Sequence, residues 1–205
     1  MVVIIDYKTG NLGSILNMFK KIGVEATVSS NVLDIERADK IILSGVGSFD
    51  SGIDNLKDAG LIPVLNEMVL VKKIPILGIC LGMQLFSKKS EEGKLAGFNW
   101  INAETVRFKF DDRETNLKVP HMGWDTINTK RESPLLANMY QEARFYFVHS
   151  YHLICENQED VIATTNHGYE FPSIVQKENI FGVQFHPEKS HKFGIKLFEN
   201  FVNLC

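Results

Sequence analysis

The sequence is short of the features that would place it outside a reducing, aqueous compartment. Among 205 residues there are only three cysteines, Cys80, Cys155 and Cys205, an odd number with no CxxC pair, which argues against a secreted disulfide framework or a zinc ribbon. No apolar run approaches the roughly 20 residues that a membrane helix needs. The opening Met1-Val-Val-Ile-Ile-Asp6 lacks a basic segment and meets an acid early, unlike a signal peptide. Positive charge is not in excess either, with 22 Lys and Arg against 25 Asp and Glu and a formal charge of −3. Without a basic field to hold phosphate backbones, neither nucleic acid nor membrane is an expected partner. No repeat, low-complexity tract or linker composition divides the chain, so it reads as one cytoplasmic domain over 1–205. At 44% apolar and 23% charged, a chain this long buries enough surface to fold without a disulfide or structural metal.

What is present is an alternation. Through the first ninety or so residues short β-branched runs at 2–5, 26–28, 41–43 and 76–79 are separated by helix-period segments at 14–22, 31–38 and 51–71, the last interrupted near Gly60 and Pro63. This pattern predicts βαβ units and a parallel, buried sheet. Beyond residue 94 the texture turns to strands at 104–110, 117–119, 144–148, 161–165, 173–176 and 181–185, expected as antiparallel additions to the same sheet. A closing helix follows, with Ser190 as its cap and Phe193, Leu197, Phe198, Phe201 and Val202 on one face. The charged clusters at 88–92 and 111–114 read as solvated turns.

Three motifs carry chemistry. In Gly78-Ile-Cys-Leu-Gly82 an apolar strand runs into a helical segment through G-x-C-x-G, the thiol counterpart of a nucleophile elbow. Its glycines admit a sharp turn, and the helix start near Cys80 favours thiolate over thiol. The alternative is a plain buried cysteine. In Gly182-Val-Gln-Phe-His-Pro-Glu188, an extended segment would point His186 and Glu188 the same way, supplying a base and its orienting acid. Alone, a His-Pro-Glu tripeptide in a loop is more often a surface turn. Finally, Ser44-Gly-Val-Gly-Ser-Phe49 lies at a strand's carboxyl end, where open α/β sheets bind ligands. Its Gly45, Val46 and Gly47 read as one side of an oxyanion hole with the Leu81 amide as the other, or else as a simple strand–helix turn.

These motifs, with Ile5-Asp-Tyr-Lys-Thr-Gly-Asn-Leu-Gly13 and Pro120-His-Met-Gly-Trp124, resemble the class I (triad) glutamine amidotransferases end to end, and within them the glutaminase subunits of histidine biosynthesis. The resemblance implies a three-layer, flavodoxin-like α/β fold with a mostly parallel sheet flanked by helices and antiparallel additions in the second half. It implies Cys80 as nucleophile, His186 as acid/base and Glu188 as its partner. Gln84, His149, Ser150 and Tyr151 would bind L-glutamine, and a peptide of the 45–47 loop would turn to complete the hole. Two positions depart from the family pattern: Ser44 stands where proline is usual, and Lys8 where glycine is usual.

The chain has neither a phosphate-binding G-x-x-x-x-G-K-[ST] loop nor a basic cluster, so the ammonia acceptor is expected on a second protein. In the resembling subunits that protein is a (β/α)₈-barrel synthase forming a heterodimer. Asn11, Met122 and Trp124 are the candidate docking residues, Trp124 being alternatively a core aromatic. No cofactor is expected. No metal is expected either, because His149 and His152 stand without a carboxylate or thiol cluster. His121, His167 and His191 read as surface or loop residues. Three other readings stay open: a paralogue serving a sugar-modifying enzyme of surface-glycan assembly, a cysteine peptidase or deglycase, and a binding subunit with a relic triad.

Overall fold

The computed structural model describes residues 1–110 and 117–205. Its first strand, β1 (Val2–Ile5), is buried throughout, as a β-branched run must be when both faces of a parallel sheet are covered. α1 (Leu12–Lys21) starts on Asn11, whose side chain accepts from the Ser14 amide at 3.3 Å, and it buries Ile15, Met18 and Phe19. The chain then runs through β2 (Ala26–Ser29), the short α2 (Val32–Glu36) and β3 (Lys40–Gly45). The third crossover splits as expected at Gly60, which has φ +68: α3 (Phe49–Asp58) precedes it, and α4 (Leu61–Asn66) follows and widens into a π-turn over Glu67–Val71. Next come β4 (Ile76–Cys80) and a single helical turn, α5 (Leu81–Gln84).

In the second half are β5 (Ala103–Arg107), β6 (His121–Thr126), β7 (Asn128–Thr129), β8 (Arg144–His149), β9 (Tyr151–Cys155), β10 (Val161–His167), β11 (Tyr169–Lys177) and β12 (Ile180–Val183), closed by α6 (His191–Leu204). The central sheet has the order β2-β1-β3-β4-β12-β11-β10-β7. Pairing is parallel from β2 to β12 and antiparallel beyond. Alternate strand residues face opposite layers: Val3, Ile5 and Leu43 join one apolar cluster with α3 and α4, whereas Ile4, Ile79 and Phe185 join the other with α1 and α6. No helix among the described residues is long and apolar enough to cross a membrane.

Several expectations are corrected. β12 pairs antiparallel with β11 but is parallel to its other neighbour β4, because the β11–β12 hairpin lays it beside the elbow strand. Two pairs, β5 with β9 and β6 with β8, form separate two-stranded sheets instead of extending the central one. Residues 117–119 form no strand, and 111–114 lie outside the described residues. Ser190 starts α6 without a side-chain cap bond, since its hydroxyl is engaged elsewhere.

Candidate active site

The carboxyl ends of β3, β4 and β12 converge because the three strands are parallel neighbours, with Gly45 opposite Cys80 and Ile79 opposite Val183. Cys80 ends β4 with φ 53 and ψ −110, a conformation that costs a non-glycine residue about 1–3 kcal/mol. The two flanking glycines have steric causes. A Cβ on Gly82 would overlap the Leu43 carbonyl, and one on Gly78 would strike the Phe86 ring and the Met83 amide. The helix after Cys80 is a single turn.

His186 is held through its backbone. Its amide donates to the Tyr146 carbonyl at 2.9 Å, and its carbonyl accepts from the Ser190 hydroxyl at 2.7 Å. Ser190 Oγ in turn accepts from the Tyr146 amide at 3.0 Å, which is why it is not a helix cap. Glu188 reaches the imidazole through a tight 3₁₀ turn at Pro187–Lys189 rather than along an extended segment. Its Oε1 lies 2.8 Å from His186 Nδ1, with both side chains 1% exposed. His186 Nε2 and Glu188 Oε2 are buried and make no hydrogen bond among the described residues. Burial alone would push the His186 pKa down. The Cys80 sulfur and the Glu188 carboxylate reverse that and hold it up to about 10. The sulfur therefore stabilises the imidazolium by proximity and charge without a formed hydrogen bond to Nε2.

Cys80 opens into a cavity of about 240 Å³. Leu81, Gln84, Val46, Gly47, His149, Ser150 and Tyr151 line it, whereas Gly45, where an added Cβ would strike the buried Tyr7 hydroxyl, does not. Glu92, Pro120 and Val148 line it unexpectedly, so the cluster at 88–92 is more than a solvated turn. Glu92 accepts from the Phe49 amide at 2.8 Å, at the start of α3. A larger hollow of about 650 Å³ beside the Pro134–Leu136 turn contains no thiol or imidazole, so volume alone does not mark the reactive site.

The expected oxyanion amides are not all free. The Val46 amide donates to Thr9 Oγ1 at 3.0 Å, and the same hydroxyl donates back to the Val46 carbonyl. Both polar groups of that residue are thus turned toward Thr9. Gly47 beside it has φ +111, which a glycine adopts freely.

Asn11, Met122 and Trp124 are exposed, and Trp124 stacks on His191 with ring centroids 5.3 Å apart. Trp124 is therefore not a core aromatic. His121, expected at the surface, is buried and lies with Nδ1 3.1 Å from His149 Nε2.

The family description "Glutamine amidotransferase class-I" matches residues 3–204. The chain is 53% identical to the imidazole glycerol phosphate synthase subunit HisH 2 of Methanococcus maripaludis, over 98% of each chain. It is 47% identical to the subunit of the same name from Pseudomonas aeruginosa, over 100% of each. The chain belongs to the class I glutamine amidotransferases. A solved glutamine amidotransferase from Thermotoga maritima shares the fold at TM-score 0.66 and 18% identity, over 98% of this chain and 82% of that one.

Against this amidotransferase pattern the departures acquire locations. Lys8 has φ 64, a left-handed conformation in which a glycine would be unstrained. Ser44 sits buried inside β3, paired with Ile79. The sequence pattern gave no role to Thr9, Glu92 or Gln184 and cast Ser190 only as a helix cap. Thr9, Gln184 and Ser190 lie within or beside the quoted motifs, and only strand register and hydrogen bonding distinguish them.

Proposed function

We propose that this amidotransferase hydrolyses L-glutamine to glutamate and ammonia, and delivers the ammonia to a (β/α)₈-barrel synthase subunit in histidine biosynthesis. The observation that carries this reading is the full-length identity of about one half to proteins named as imidazole glycerol phosphate synthase subunits.

Cys80 is the nucleophile in this reading. Its thiolate adds to the side-chain carboxamide carbon, and the electron pair of the C=O moves to oxygen. The imidazolium of His186, steadied by Glu188, then protonates the leaving nitrogen. The C–N bond breaks, ammonia departs, and a glutamyl thioester remains. Water, deprotonated by the now neutral His186, adds to the thioester; the C–S bond breaks with its pair returning to sulfur, and glutamate leaves. Glu92 offers a carboxylate to the substrate's ammonium from the cavity wall. Leu81 supplies one oxyanion amide, and the Val46–Gly47 peptide supplies the other only after it turns away from Thr9. A single such donor is worth about 10²–10³ in rate, so the resting chain is nearly silent, and this keeps glutamine from being spent without an acceptor. Ammonia released to neutral water would be protonated and inert as a nucleophile, which makes direct delivery to a bound partner necessary. Asn11, Met122 and Trp124 form part of that docking face.

The test is glutamate release with and without the barrel subunit and its ligand. Low activity alone, strong stimulation in the complex and complete loss in Cys80→Ala are expected; turnover by Cys80→Ala ends the proposal. A second reading is favoured by the numeral 2 in both relatives' names, the notation of an additional such subunit. It assigns the ammonia to a sugar-modifying enzyme of surface-glycan assembly, and stimulation by that enzyme but not by the barrel subunit selects it.

A further inference from the structure

Cys80 has a second polar neighbour besides His186. Gln184 is fully buried and follows β12 directly, beside the Cys80 end of β4. Its Nε2 lies 3.7 Å from Cys80 Sγ. The orientation of that amide is determined by a chain of groups whose roles are fixed. The Tyr151 carbonyl only accepts, so the Gln84 group 2.9 Å from it is the amide NH₂. The second Gln84 proton points to Gln184, 3.2 Å away, which must answer with its oxygen. Gln184 then has only its NH₂ left for the sulfur. The starting carbonyl is itself anchored, because His149 Nδ1 donates to it at 2.8 Å.

We propose that Gln184 stabilises the Cys80 thiolate by donating to its sulfur, oriented through Gln84 by the Tyr151 carbonyl. A hydrogen bond to the charged form of a group favours that form, and with Cys80 buried few waters compete for the place. Gln184 and the His186 imidazolium thus supply a dipole and a charge to one anion. The donor acts twice per turnover. It holds the thiolate before attack, and it receives the sulfur again when the thioester C–S bond breaks and the electron pair returns to it. Gln84, with both protons spent, presents only an acceptor oxygen to the cavity. Its part is therefore to orient Gln184 and to meet donor groups of the substrate, such as an ammonium.

The assignment rests on the reading of Cys80 as nucleophile, so the experiment measures the sulfur directly. Alkylation of Cys80 by iodoacetamide is followed in the full chain by peptide mass spectrometry, which separates it from Cys155 and Cys205, and its rate is recorded against pH. In Gln184→Leu the acid limb of that profile moves up by about one pH unit, the lower end of what a hydrogen bond to a charged group supplies. The glutaminase kcat in the stimulated complex falls about tenfold while KM changes little. Gln184→Glu keeps the shape but sets a carboxylate oxygen against the sulfur, and it moves the limb further up. An unmoved limb in Gln184→Leu overturns the proposal. Should that variant fail to fold, an unmoved limb in Gln184→Glu overturns it equally. Turnover by Cys80→Ala would end the glutaminase mechanism, yet the alkylation profile would still report on Gln184.

Discussion

Replacing Thr9 by valine keeps the branched shape of the side chain and removes both hydrogen bonds it makes to Val46. If those bonds hold the oxyanion peptide in its resting position, their loss lets it turn more often. Val46 is 50% exposed, so water replaces part of what is lost. The pair is then worth about 1 kcal/mol in all, near the low end for hydrogen bonds in proteins. That energy corresponds to about a fivefold larger turned population. Glutamate release by the isolated chain at saturating glutamine should rise by about that factor, with KM little changed, because Thr9 itself does not line the cavity. The rate in the stimulated complex should stay the same, since the peptide has already turned there. Thr9→Ser keeps the hydroxyl and should behave as the parent. A folded Thr9→Val protein whose unstimulated rate is unchanged or lower refutes the reasoning.

Ser190→Ala leaves the His186 carbonyl and the Tyr146 amide without their shared buried partner. Urea denaturation should show a loss of about 1–3 kcal/mol, and kcat should fall with KM unchanged; unaltered kcat would make Ser190 purely structural. Burial, aided by the charge on His167, holds the His121 pKa down to about 4 against the opposing pull of Asp125. A base with a depressed folded-state value adds stability above its ordinary range near 6.5 and loses it as pH falls toward 4. His121→Phe, which keeps the aromatic contact with Phe147, should therefore give a thermal midpoint that drops less between those pH values than the parent's. Parallel curves would show that His121 carries none of the effect.

The half of the fold that could be read from the sequence is the half whose signals are local. The β-branched runs of β1, β3 and β4 are buried on both faces and announce themselves by hydropathy alone, and Gly60 breaks its helix where its conformation requires. β6 escaped notice because its inward positions are His121, Gly123 and Asp125, while Met122 and Trp124 point outward. Its apolar pattern is the reverse of a core strand's, and only pairing with β8 explains it. In the site, the elbow glycines were legible because each answers a steric demand close in sequence or on the adjoining strand. Gln184 was not, since an extended segment could aim it to either face until β12 is known to lie parallel beside β4.

That division also separates the fixed part of the site from the movable part. Cys80, Gln184, His186 and Glu188 are buried and tied to strand backbones or to one another. Any signal that altered them would have to disturb the packed sheet, at a cost comparable to the stability of the whole chain. Val46 is half exposed, joined to Thr9 by surface hydrogen bonds and followed by a glycine at positive φ. A shift of about 1 kcal/mol suffices to move it. The proposed control by docking therefore has a point of entry of low energetic cost at the rim where Val46 and Pro120 border the cavity, and the exposed Met122 and Trp124 stand on the strand that begins just after that proline.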